Sequence, residues 1–130
     1  MQAVCAAKVE IRHTAIGKFK GQAVFRELVD VNGESQGFER ILSERIAFDG
    51  GKPNDKFTER GSKVSGTFTP IGFDPGELFS MSKPLIVCAG LADGYRLHKA
   101  TGDPVACCVG EQNIRSVVEA IQQLIPNLFA

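Results

Sequence analysis

The chain has 130 residues, 43% of them hydrophobic, which bounds it to one small domain around a single core. Its 15 basic and 15 acidic residues cancel, so composition lacks the basic excess that usually accompanies nucleic-acid binding. No apolar run approaches the roughly 18 residues of a membrane span, and the opening MQAVCAAKVEIRH brings in charge early, unlike a secretory leader; a cytoplasmic protein is expected.

Residues 1–76 read as β structure. Residues 3–11, 23–31 and 36–42 are predicted strands, and Asn32-Gly33, between the alternating stretches VFRELVDV and GFERIL, signals a hairpin. Glycine, proline and charge make 49–63 a predicted loop, whereas 64–71 has the composition of another strand. Phe73-Asp74-Pro75-Gly76 then turns the chain into a short amphipathic piece, 77–82.

Residues 77–130 read as strand, helix, strand, helix. Leu85 to Cys88 is an apolar run too short for a helix and typical of a parallel strand buried on both faces. A helix is predicted over 91–101, stopped by Gly102 and Asp103-Pro104, and a second buried strand over 105–109. Asn113 is placed to cap the last helix, whose Ile114, Val117, Val118, Ile121, Leu124 and Ile125 share one face before Pro126 ends it. The fold class expected is α/β (or α+β): parallel strand-helix units preceded by an antiparallel β region. In such sheets ligands sit beyond the carboxyl ends of the strands, which points at Ala89, Gly90 and Gly110.

Three groups of side chains invite a chemical role. Lys18, Lys20, Lys52, Lys56, Arg60 and Lys63 lie in glycine-rich stretches interleaved with Phe19 and Phe57, the pattern of a phosphate-tracking surface with stacking aromatics; Asp49, Asp55 and Glu59 offset the second cluster. His98 with Cys88, Cys107 and Cys108 supplies zinc-compatible ligand types, as does His13, but neighbouring strand residues point to opposite faces, so Cys107 and Cys108 cannot both face Cys88. The four cysteines, Cys5 included, lack C-x-x-C spacing and are expected to be reduced core residues; no histidine and acid at fixed spacing orients a nucleophilic thiolate.

The stretch IVCAGLADGYRLHKATGDPVACCVGEQNIRSVVEAIQQLIPN resembles the Toprim domains of plasmid and phage primases, including conjugative primases and primase-helicases. That family follows its first strand with E-G-Y-A-T, ends the next helix in H-E-A-T-G, and leads the last helix with G-N-L. His98, Ala100, Thr101, Gly102, Pro104, Val105, Asn113 and Pro126 fall in the same order here. Upstream, Gly33-Glu34, Gly37 and Arg40-Ile41 resemble the family's hairpin, and Lys56, Phe57, Gly61, Val64, Gly66 and Phe68 its next segment, so the likeness is collinear over roughly a hundred residues.

The resemblance implies a site at the strand ends, and the chain departs from it there. Active Toprim domains use a glutamate at the end of the first strand, as acid/base or metal ligand, and an Asp-x-Asp pair after the third that holds divalent metal. Ala89 occupies the glutamate position, Asp93 that of the following threonine, and no Asp-x-Asp occurs in the chain, although residues 127–130 offer the start of a third strand. Asp93 and Glu111 remain as an acidic pair near the strand ends, where negative charge also suits a helix N-terminus. The expectation is a single Toprim-like domain without catalytic residue, metal or cofactor. Its strand-end remnant is Ala89, Gly90, Asp93, Gly110, Glu111 and Asn113. Its partner is a protein of the host or mobile element, with single-stranded DNA or RNA as the alternative through Lys18, Lys20, Lys56, Phe57, Arg60 and Lys63. A truncated primase with acids elsewhere is the competing expectation, and a sheet edge left by the missing third strand suggests a homodimer.

Overall fold

The computed structural model describes residues 8–47 and 50–126, which form two β-sheets and two α-helices. Strands β1 (Val9–Ile16) and β2 (Phe19–Val29) are antiparallel and joined by Gly17-Lys18. Gly17 takes a φ of 57°, as the tight two-residue hairpin turn demands. Of the strand expected over 3–11, the part from Val9 is present and runs on through Ile16, while residues 1–7 lie outside the described residues. Arg12-His13-Thr14 hid the extension: an outermost strand exposes much of both faces and carries no clean alternation.

The predicted hairpin joins β2 to β3 (Ser35–Ile46), with Gly33 at a φ of 82°. Its loop is longer than a two-residue turn. The N–H of Gly33 donates to the Asp30 carbonyl, that of Asp30 to the Glu34 carbonyl, and the Asp30 carboxylate accepts from the N–H groups of Asn32 and Glu34. Strand β4 (Asn54–Thr58) completes the order β1-β2-β3-β4 and corrects the loop expected over 49–63. Polar Asn54, Asp55 and Lys56 suit an edge strand, and pairing with β3 supplies what local propensity does not. Asp49 lies outside the described residues.

The second sheet has the order β5-β7-β6, with β5 at Thr69–Ile71, β6 at Ile86–Ala89 and β7 at Val105–Cys108. β6 and β7 are parallel as expected, but β5 is antiparallel to β7, so the sheet is mixed. The strand expected over 64–71 shrinks because Thr67 closes a turn, its N–H and hydroxyl both donating to the Val64 carbonyl. β7 is central and wholly buried, whereas β6 sits at an edge and is half-buried rather than covered on both faces. The protein is a mixed α/β fold.

Helix α1 (Leu91–Thr101) matches its expected span, closed by Gly102 in the left-handed region at a φ of 73°. Helix α2 (Ile114–Leu124) buries Val117 and Ile121; Val118, expected in the core, lies on the flank of the apolar stripe and is half-buried. Asn113 stands at the N-cap position of α2 as expected, but without the capping bond. Its side chain caps no helical N–H and instead donates to the Val109 carbonyl, because a 3-10 turn at Glu111–Asn113 precedes the helix.

Reciprocal bonds of 2.9 Å between the backbones of Val29 and Phe68 join the two sheets. On the α2 side of the second sheet Val29, Phe68, Phe73, Leu78, Ala106, Cys108, Val117 and Ile121 form one cluster. On the α1 side Ile71, Leu91, Val105 and Cys107 pack with Val24 and Ile41 of the first sheet. Gly94 marks the closest approach there: a Cβ at that position would lie 2.0 Å from the Cys107 sulfur. Among the described residues no helix is long and apolar enough to cross a membrane.

Candidate functional site

Where the two sheets meet, the carboxyl ends of β6 and β7 open into a cleft of about 260 Å³. The α/β half contributes Ala89, Gly90, Asp93, Gly110 and Glu111; the first sheet contributes Arg26, Glu39 and Lys56. Strand-end residues expected as a group are thus together, joined by a lysine expected in a separate surface. Gly90 and Gly110, at φ values of 88° and 73°, turn each strand into its helix and leave backbone at the cleft wall. Asn113 stands behind it, ordering the Val109–Ser116 corner: Ser116 Oγ donates to the Asn113 carbonyl and accepts from the N–H of Gly66 at 2.9 Å.

The floor of the cleft is a buried ion pair that sequence inspection did not single out. Arg26 is 1% exposed, and its Nε donates to Glu39 Oε1 at 2.8 Å. Its Nη1 and Nη2 donate to the carbonyls of Cys107 and Cys108 at 2.9 and 2.8 Å. A guanidinium has five N–H donors in a rigid fork, and here that fork ties two strands of the first sheet to the end of β7. Desolvating two charges is expensive, so the geometry must compensate through these bonds. The signal was present but ambiguous. Arg26-Glu27 and Glu39-Arg40 each hold both charges, and only the hairpin register, which sets Arg26 opposite Glu39, tells the inward pair from the outward one.

The carboxylates do not assemble a metal centre. Glu39 is engaged by Arg26, Asp93 is 67% exposed and pairs with Arg96 at 3.1 Å, and Glu111 is exposed. Among the described residues no group of three or more His, Cys, Asp or Glu side chains is arranged to hold an ion. His98 Nδ1 donates to the Asp103 carbonyl at 2.8 Å, and the ring lies over Gly72. Cys88 and Cys107 face each other at 3.7 Å between sulfurs, while Cys108 turns away and its Sγ contacts the Cys88 carbonyl at 3.2 Å. Burial pushes all three thiols up, that of Cys108 to about 11, so they are poor nucleophiles at neutral pH. Cys5 lies outside the described residues.

The basic residues are dispersed. Lys18 lies in the β1–β2 turn and Lys20 just after it, whereas Arg60 and Lys63 follow β4 near Phe38 and Gln36, on the order of 25 Å away along β2. Lys52 is exposed ahead of β4. Lys56 faces the cleft, but Phe57, the next strand residue, packs on the opposite face with Phe19, Ala23 and Leu42. Phe19 is 6% exposed and offers no ring for base stacking.

Comparison of the chain with protein-family models, with curated proteins and with solved structures returns no match.

Proposed function

We propose that this protein is a non-catalytic Toprim-like module of a mobile genetic element, acting in the cytoplasm by binding another macromolecule in DNA replication or in defence and counter-defence. The observation that carries this reading is the composition of the strand-end cleft. A methyl group, Ala89, stands where phosphoryl-transfer chemistry needs a carboxylate, and the deepest carboxylate, Glu39, already neutralises Arg26. What remains is a shaped recess with an exposed rim of Lys56, Asp93 and Glu111. Mixed charge at the rim and zero charge overall favour a protein over a nucleic acid as the ligand.

Primer-synthesis, nicking and relaxation assays in magnesium and manganese test the absence of catalysis; the expected result is no turnover. A second reading, a primase fragment whose further acids come from another segment, draws support from the two exposed acids, Asp93 and Glu111, at the same cleft. Metal-dependent turnover lost in both Asp93→Ala and Glu111→Ala would establish that reading over the first. Fluorescence anisotropy against single-stranded and duplex oligonucleotides addresses the ligand class, with flat titrations expected at physiological salt. Tight binding whose log-log salt slope falls by about 0.7 to 0.9 for each of Lys56→Ala, Arg60→Ala and Lys63→Ala would replace the protein ligand by nucleic acid.

A further inference from the structure

We propose that β1 is a dimerisation edge: a second copy of the chain pairs antiparallel with it about a twofold axis that sets Ile11 against Ile11, joining two four-stranded sheets into one. β1 is the outermost strand of its sheet, and among the described residues no strand pairs with its outer side. Its register with β2 is unbroken from Val9 to Ile16, with neither proline nor bulge to blunt it. The edge suggested by the sequence, that of β6, is a four-residue strand and half-buried.

Backbone phase sets which residues can bond across such an edge. The Lys8 carbonyl accepts the Glu27 N–H at 2.8 Å, and Ile16 opposite Phe19 closes the two-residue turn, so even-numbered positions direct their backbone groups at β2. Alternation then sends the N–H and C=O of Val9, Ile11, His13 and Ala15 outward. With Ile11 facing its own copy, these outward groups meet in pairs: Ile11 with Ile11, Val9 with His13.

Charge selects this register from its neighbours. It sets Glu10 of each copy opposite Arg12 of the other. A twofold through Glu10 opposes two acids, one through Arg12 opposes two guanidiniums, one through His13 leaves Arg12 facing Thr14, and one through Val9 pairs Glu10 with Lys8, outside the strand, and gives Arg12 no carboxylate. Glu10 and Arg12 already pair within one chain at 2.8 Å, and the guanidinium rests 5.3 Å from the centre of the Phe25 ring. The second copy completes a square of alternating charges.

The other face of β1 supplies the apolar complement. Ile11 is 70% exposed, Tyr95 44% and Val9 36%, and all three line one groove of about 450 Å³ between the first sheet and α1. A twofold perpendicular to the sheet keeps this face on the same side in both copies, so the two grooves become continuous across Ile11. Exposed apolar surface of this kind marks an interaction site.

Sedimentation velocity on the full chain over a concentration series tests the interface, with far-UV circular dichroism as the check on folding. The wild type is expected to sediment as a dimer. Arg12→Glu opposes acid to acid and is expected to leave a monomer, and the swapped Glu10→Arg/Arg12→Glu chain to regain the dimer. His13→Pro removes an outward N–H that no described residue of the same chain accepts, so it is expected to abolish the dimer while the fold persists. A wild type that stays monomeric, a dimer indifferent to both Arg12→Glu and His13→Pro, or a double variant that remains monomeric while folded overturns the proposal.

Discussion

The α/β half and the four-stranded sheet bury their surfaces in opposite ways. β7 is wholly buried in a mixed sheet between α1 and α2, and its side chains pack with residues such as Ile71, Leu91, Val117 and Ile121, apolar on apolar. The first sheet meets that half partly through Arg26 and Glu39, a buried ion pair whose remaining donors go to β7 carbonyls. Apolar packing tolerates rearrangement of similar volumes, whereas a guanidinium fork bonded to two named carbonyls admits one relative placement of the sheets. The cleft opens at this polar seam because the strand ends, the helix N-termini and the charged side chains converge there.

The largest effect is expected at the seam. Arg26→Ala is expected to cost about 3 to 5 kcal/mol in urea unfolding, since it strands Glu39 and two carbonyls away from water. Replacing both charges, as Arg26→Met/Glu39→Leu, is expected to recover most of that loss. A double variant no more stable than the single one would mean that the bonds to Cys107 and Cys108, rather than the ion pair, hold the sheets together.

In the apolar half Ile121→Ala is expected to cost about 2 to 5 kcal/mol, with Val118→Ala costing less because the side chain is half-buried. Equal losses would place Val118 back in the core. Gly94→Ala pushes a methyl into the Cys107 sulfur and is expected to cost about 1 to 3 kcal/mol by overpacking α1 against β7.

The buried thiols make stability depend on pH. Burial raises the Cys108 thiol from 9.0 to about 11 and shifts Cys88 and Cys107 in the same direction. The fold therefore favours the protonated form. Its contribution is complete below the unfolded-state value and is lost as pH rises from about 9 through 11. Unfolding free energies measured across that range should decline, and a Cys108→Ala chain should decline less. The smallest effect belongs to the outer face of α2: Glu119→Ala removes only an exposed pair with Arg115 at 3.2 Å and should change stability by no more than about 0.5 kcal/mol.

Most of the α/β half is legible in local patterns of the chain. Apolar runs of strand length, a 3.6-residue stripe and glycine or proline at each junction specify β6, α1, β7 and α2 through contacts close along the chain, and they pointed to the strand ends as a cleft. Asn32-Gly33 likewise announced its hairpin through local backbone preference. Tertiary structure decided the rest. β4 is polar and becomes a strand only because β3 lies beside it; β5 is three residues long and owes its antiparallel place to β7. Arg26 and Glu39 became a buried pair only once the hairpin register and the approach of β7 were set, because Arg26 meets partners 13, 81 and 82 residues away. A charged residue in an alternating strand reads the same whether its face meets water or another sheet, and the element that covers it is encoded elsewhere in the chain.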